Sequence, residues 1–465
     1  PHTTPTASYL ERVAPGFQLA TEQREWQATG PLIAGVNAFG FGGTNAHAVL
    51  EEAPVRTATS GTDSESPYLL TLSARSADAL RAAAADLAAH VRRHPGLRES
   101  DVCATVNSAR DDGPHRLAAV ADGDLADRLH DALVDRPQAA HADRLHAAHA
   151  GRAAVLSVAK SRPRTVFLLP GQGAQRPGQG RALYRSAPMF REVVDEASSL
   201  TGPVLGRSLA DWCLDPRTDP QELARTEVAQ PLLVAFGVGL ARQLAHWGVT
   251  ADAVAGHSVG EIAAACVAGS LSLAEAVGFA AERGRLVGEL ARPGAMAAVR
   301  GDEDTVAEFL GPVSVAAVNG PGQVVISGTE NAIEQALAEL TRRGVATRRL
   351  RVSHAFHSPL LEPVLDPLRD AAKALTVRPG AVPLLSTVSG EWRPGLTPAY
   401  WLEHAVRPVR FGAAVERLLD EGYDTFLELG PGNTLGGAVR AVVGARHARD
   451  VTVLSTGAAS TAGRE

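Results

Sequence analysis

The stretch Gly256-His257-Ser258-Val259-Gly260-Glu261 sets the reading of this chain: a serine boxed by glycines, with a short apolar strand before it and a helix after it. Such a strand-to-helix turn holds the serine hydroxyl out as an exposed nucleophile. So tight a turn leaves no room for bulk at the flanking positions, which Gly256 and Gly260 satisfy. The hydroxyl then stands at the N-terminus of the following helix, where backbone N–H groups can meet an oxyanion. The pattern points to acyl transfer, although glycine-rich serine loops that carry no chemistry share it.

The surrounding sequence supplies the sheet that such a turn needs. Residues 165–169, TVFLL, form a buried-strand run that ends in PGQGAQ at 170–175, and alternating helical and short apolar segments follow. PGQGAQ also fits a simple turn, and a phosphate loop is not expected because no GK[ST] follows it. Within this region MAAVR, DTVAEFL, VSVAAVN, QVVISG, a helix from Ala332 to Arg342 and ATRRLRV give strand, helix, strand, strand, helix, strand. That order is the split βαβ, ferredoxin-like pattern. Sheet-type segments resume with PLLSTVSG, TFLELG and VTVLST, so the small unit is inserted into a larger, α/β-hydrolase-like parallel sheet. From Tyr68 to Lys160 a strand-like YLLTL precedes a helix with Leu80, Ala84, Leu87 and Val91 at helical spacing, which makes a separate small α/β unit. The polar stretch 55–66, VRTATSGTDSES, reads as a linker.

Composition narrows the function classes. The chain has 465 residues, 45% hydrophobic and 21% charged, a soluble multi-domain profile, and no apolar run approaches the ~20 residues of a membrane span. The net charge of -6 offers no field for a polyanion, and nucleic acid is not an expected partner. Three cysteines without CxxC spacing fit a reducing cytosol and a cytoplasmic location. No secretory signal is visible, and a start at Pro1 in place of Met suggests an excised fragment. His141, His146 and His149 read as a solvated helix face without carboxylate or cysteine ligands in metal spacing, so no metal is expected.

A serine hydroxyl needs a base, and two histidines compete for that role, His354 and His357, in VSHAFHS at 352–358. The chain resembles the acyltransferase domain of type I polyketide synthases, related to malonyl-CoA:acyl-carrier-protein transacylases. The likeness rests on PGQGAQ, RTEVAQP (225–231), GHSVGE, ERGRL (282–286), GAMAAV (294–299), SHAFHS, YW (400–401) and LELGPG (427–432), in that family's order.

The resemblance implies that Ser258 is the nucleophile and His357 its base, oriented by a backbone carbonyl near Gly432 or Asn433 in place of a carboxylate. It implies an oxyanion hole from the backbone N–H groups of Gln172 and Val259. Arg283 would clamp the free carboxylate of a dicarboxylic acyl group, as a planar guanidinium fork can and a lysine cannot. Gln230 would line the same pocket, with helix capping as its alternative. His354 and Phe356 belong to the HAFH tetrapeptide, which with valine after the serine resembles malonyl-selecting domains; methylmalonyl-selecting ones usually show YASH and a glutamine. Cys266 and His404 depart from the family's common histidine and asparagine, at positions read as outside catalysis.

By the same resemblance residues 1–54 are the C-terminal remnant of a ketosynthase, and 55–163 the linker domain to the acyltransferase. The large subdomain takes 164–293 and 354–456, the small one 294–353, and 457–465 a further linker. His47, in FGFGGTNAH, would lack its partner cysteine. Arg348, Arg349 and Arg351 could greet an acidic carrier protein, with an exposed strand carrying basic residues as the ordinary alternative. The expected reaction carries a malonyl unit from malonyl-CoA to the phosphopantetheine of an acyl carrier protein, beside the remaining synthase, with no cofactor bound by the chain. A serine hydrolase with the same dyad, or methylmalonyl as the extender, are the alternatives.

Overall fold

The computed structural model describes residues 25–26, 29–53, 67–109, 111–134, 155–158, 162–307, 312–350, 352, 354–388, 390–392, 395–448 and 451–457. The linker 55–66, the histidine cluster at 141–149 and Arg351 lie outside the described residues. The chain divides into two compact units, Pro1–Ser64 and Glu65–Glu465.

In the first unit β1 (Ile33–Phe39) and β2 (Asn45–Glu51) form an antiparallel hairpin whose turn includes Gly43 at φ 88°. Asn37 and His47 face each other across it, and their side chains meet at 2.5 Å.

The second unit begins with β3 (Tyr68–Ala74), β4 (His115–Ala121) and β5 (Val155–Val158), an antiparallel sheet in the order β3-β4-β5. The helix Ala77–Arg93 starts at Ser76, whose hydroxyl accepts from Ala79 N–H, and buries Leu80, Ala84 and Ala88 against that sheet. The i, i+4 spacing read from the sequence is the face it buries.

The large sheet follows with β6 (Thr165–Leu169) and β7 (Ala253–Gly256), every residue of both buried. A strand buried on both faces reads as an unbroken apolar run, which is why TVFLL does not alternate. The chain then forms β8 (Ala295–Val299), β9 (Ser314–Gly320), β10 (Gln323–Gly328) and β11 (Thr347–Arg349), with helices Glu303–Ala307 and Glu330–Arg342 between them. Their antiparallel order β11-β8-β10-β9 is the ferredoxin-like arrangement. It then returns to the large sheet through β12 (Leu384–Leu385), β13 (Thr425–Glu428) and β14 (Thr452–Ser455). The large sheet is wholly parallel in the order β12-β7-β6-β13-β14.

Because β6 and β7 are neighbours in register, with Leu169 opposite Gly256, the PGQGAQ and GHSVGE loops leave the same sheet edge side by side. Ligands of parallel sheets bind outside these carboxyl ends. The small subdomain is tied on beside them: Val318 N–H donates to Val409 O and Val409 N–H donates to Ala316 O, both at 2.9 Å, and His257 reaches Asn319 at 2.8 Å.

Two helices complete the site. Thr226–His246 packs on Leu273–Leu290, which opens with a capping box between Ser272 and Glu275. At Gly284 a Cβ would stand 2.6 Å from the Thr226 carbonyl oxygen, so glycine permits the close approach. Thr226–His246 also corrects one expectation, since its mean hydropathy of 1.3 and 21 residues meet the length and apolarity of a membrane span. It is instead a core helix, with 83% of the apolar window buried inside the protein.

Candidate active site

Ser258 follows β7 with φ 51°, a left-handed backbone that L-residues rarely adopt. The turn is fixed by His257 N–H to Leu169 O at 2.9 Å and by Glu261 N–H to Ser258 O at 2.8 Å. A Cβ on Gly256 would collide with the backbone of Gly260 and Glu261, and one on Gly260 with the Leu169 carbonyl, so both glycines are obligatory. His357 is likewise left-handed, at φ 54°. Such strain persists where surrounding structure over-determines it, and it concentrates at functional sites.

The structure brings these two residues together: Ser258 Oγ lies 2.8 Å from His357 Nε2. On its other side His357 Nδ1–H donates to the carbonyl oxygen of Arg407 at 2.9 Å, which leaves Nε2 as the basic nitrogen. The expectation of a carbonyl near Gly432 or Asn433 is therefore corrected. Gly432 O instead accepts from Ser455 Oγ at 2.5 Å, while Arg407 is the C-cap of the helix Pro398–Val406. Pro408 follows it, and the residue before a proline is pushed out of helical geometry, turning its carbonyl off the helix axis. That proline was the available signal. Burial, then the positive charge of Arg283, holds the His357 imidazole down at about 3.

Arg283, on the helix Leu273–Leu290, is only 2% exposed. Its Nη1 donates to Gln230 Oε1 at 2.7 Å, and Gln230 Nε2 donates to Thr226 Oγ1 at 2.6 Å. Nε and Nη2 have no partner among the described residues, and burial lowers the guanidinium to about 10. A buried cation without a carboxylate is costly and calls for one from outside. Its positive charge is among the causes that hold both His357 and His404 down.

The remaining predicted residues gather here too. Gly171 packs on the His257 carbonyl, 2.6 Å from where a Cβ would stand, bringing the loop of Gln172 against the Ser258 turn. The Gln172 side chain donates to Ala224 O at 2.9 Å. Val259 is buried and caps the helix Gly260–Val267, so its N–H belongs to the orphan donors of that helix end. Phe356 is buried, with its ring edge-on to half-buried His354 at 6.2 Å between centroids. His404, read from sequence as outside catalysis, is buried, and its Nε2–H donates to the Ser258 carbonyl oxygen at 3.0 Å. Among the described residues no group of three His, Cys, Asp or Glu is arranged to hold a metal ion.

Residues 166–457 match the acyl transferase domain family, and residues 14–120 match the ketoacyl-synthetase C-terminal extension. This chain belongs to the acyl transferase domain family. The acyltransferase is 39% identical over 465 aligned positions to a spectinabilin polyketide synthase system protein of Streptomyces orinoci, covering 93% of this chain and 20% of that protein. It is 38% identical to a phenolphthiocerol synthesis type I polyketide synthase of Mycobacterium marinum, covering 93% and 20%. The chain thus spans a fifth of these relatives. Among solved structures, the acyl transferase domain of SpnD in complex with 2-(pent-4-yn-1-yl)malonyl superimposes with a TM-score of 0.73 at 34% identity, covering 84% of this chain and 90% of that one. The acyl-carrier-protein S-malonyltransferase of Bartonella henselae gives 0.57 at 29%, covering 63% and 95%. The acyltransferase and its extension are those of type I polyketide synthases, and the large and inserted small subdomains are the family's fold.

Proposed function

We propose that this acyltransferase domain carries a malonyl unit from malonyl-CoA to the phosphopantetheine thiol of an acyl carrier protein in two half-reactions. His357 Nε2 takes the Ser258 proton as Oγ attacks the thioester carbonyl. The N–H groups of Val259 and Gln172 receive the oxyanion, and the tetrahedral intermediate expels the CoA thiolate, which His357 protonates. The carrier's thiol then gives its proton to His357, attacks the malonyl-serine ester and regenerates the serine. Gln230 holds the Arg283 fork edge-on to the malonyl carboxylate throughout.

The observation that carries this reading is the buried Arg283 guanidinium, with two nitrogens unpartnered among the described residues, beside a serine and histidine 2.8 Å apart. A generic serine hydrolase has no use for such a clamp. Buried Phe356 supports malonyl over methylmalonyl, because it occupies volume next to His354 that a 2-methyl group would need. One methyl discriminates by only about 1–3 kcal/mol, so the preference is finite.

Incubation with malonyl-CoA and intact-mass detection tests the proposal. A malonyl adduct on Ser258 that moves to an added carrier protein supports it; free malonate and CoA without a transferable adduct would favour hydrolysis. Methylmalonyl-CoA in the same assay reads the preference.

A further inference from the structure

The Ser258–Val259 peptide joins two groups on which the proposed chemistry depends, since one end carries the nucleophile's carbonyl and the other the Val259 N–H. A peptide unit is planar, so whatever fixes its C=O also fixes the direction of its N–H. Two donors fix this carbonyl: Glu261 N–H at 2.8 Å, from within the turn, and His404 Nε2–H at 3.0 Å, from 146 residues further along the chain. The first is part of the helix start and cannot choose an orientation relative to the rest of the site. The second comes from the helix Pro398–Val406, which also supplies the Arg407 carbonyl to His357.

We infer that His404 is a positioning residue for the oxyanion hole, acting through the Ser258–Val259 peptide. The inference rests on the reading of Ser258 as nucleophile and Val259 N–H as oxyanion donor. One helix end then sets both halves of the machinery, holding the imidazole through Arg407 O and the oxyanion donor through His404. A hydrogen bond accepted by a peptide carbonyl polarises the whole unit, which strengthens the N–H at its other end as charge develops on the substrate oxygen.

The geometry around the ring suits this task. His404 is 2% exposed, stacked edge-on to Trp401 at 5.3 Å and to His357 at 6.3 Å between centroids. Its Nδ1 has no partner among the described residues, so the tautomer is set by the Ser258 bond alone. Burial, Arg283 and His357 all oppose its protonation, so it serves as a neutral donor.

The test compares His404→Asn, which keeps an N–H donor, with His404→Phe, which keeps the ring and removes the donor, and with His404→Leu as a second donor-free variant. Single-turnover acylation by malonyl-CoA is measured with Ser258→Ala as reference. The donor-free variants are expected to lose about 10- to 100-fold in the acylation rate, below the 100- to 1000-fold for deleting an oxyanion donor outright, with KM within about 2-fold. The Asn variant recovers most of that rate. Equal rates in all variants, or an equal loss in the Asn and donor-free variants, overturns the role of His404. Acylation that survives in Ser258→Ala overturns the underlying reading of the nucleophile instead.

Discussion

The imidazole of His357 is held by the backbone carbonyl of Arg407, 2.9 Å from Nδ1, and among the described residues no carboxylate hydrogen-bonds to the ring. The ring is thereby oriented without a negative charge that would raise its proton affinity. With burial and Arg283 also acting, the ring sits at about 3, so it stays neutral far below the ordinary histidine range. The acid limb of kcat/KM for acylation is therefore expected well below ~6.5, with little change down to about pH 5. The same depression has a stability consequence. His257, His357 and His404 are all lowered by burial, so the unfolded chain binds protons that the folded one refuses. Stability is full above the unfolded value near 6.5 and falls as pH drops below it, by up to about 1.4 kcal/mol per pH unit for each ring. Urea midpoints at a series of pH values check this, and His404→Asn should make the slope shallower by one ring. An unchanged slope would contradict it.

Arg283 places the opposite demands of stability and function on one side chain. Its charge is buried with Gln230 as its only partner among the described residues, so Arg283→Met should stabilise the unliganded protein by about 1–4 kcal/mol. The same change should lower kcat/KM for malonyl-CoA by about 100- to 1000-fold, because the malonyl carboxylate loses its charged partner. Thermal melts with and without malonate separate the two effects. Malonate is expected to raise the Tm of the parent protein and leave that of the variant unmoved. A variant that melts lower than the parent in the absence of malonate would remove the argument from strain.

Much of this arrangement was legible in the sequence, for reasons that also explain what was not. Strand runs such as Thr165–Leu169 and the βαββαβ succession announce themselves through apolar pattern, and the structure returns both. Ser258, His357 and Arg283 stand in motifs whose residue types suit the proposed chemistry. The Arg407 carbonyl has no such signature, because every residue has one and only the helix end decides which is offered. His404 escaped for a related reason: its contact with Ser258 depends on how one helix docks against a turn 146 residues away. PLLSTVSG yields only a two-residue strand, Leu384–Leu385, because Thr387 leaves the sheet to bond the buried Glu261 carboxylate through its N–H and hydroxyl at 3.0 and 2.6 Å.

The Ser258 turn should tolerate no side chain at its second glycine. In Gly260→Ala the new Cβ meets the Leu169 carbonyl and stands 2.7 Å from Pro170 O, both backbone atoms that cannot swing aside. A loss of about 3–5 kcal/mol and of Ser258 acylation is expected. Gly278, exposed in the helix Leu273–Leu290 with nothing within 4 Å of its would-be Cβ, is the control. Gly278→Ala should raise stability by about 0.5–1 kcal/mol through helix propensity and leave acylation unchanged. Chemical denaturation of both variants reads the contrast, and a mild Gly260→Ala would mean that the turn is looser than its contacts imply.

Glu428 ends β13 with its carboxyl fully buried against the start of the helix Thr434–Ala445, where Oε2 accepts from Gly436 N–H at 2.8 Å. Burial raises it to about 7 even though the N–H groups of Gly436, Leu435 and Thr434 and the Arg440 charge pull the other way. A carboxyl raised in the folded state favours the neutral form, so its contribution is full below the unfolded value near 4.5 and is lost as pH rises toward about 7. Glu428→Gln keeps an oxygen acceptor for Gly436 and removes the titration. At pH ~8 the variant is expected to be more stable than the parent by roughly 2–4 kcal/mol, and at pH ~4 the difference should vanish. Paired urea titrations at those two pH values measure it, and a gap that does not change with pH would show that the N–H groups of the helix start hold the carboxylate ionised.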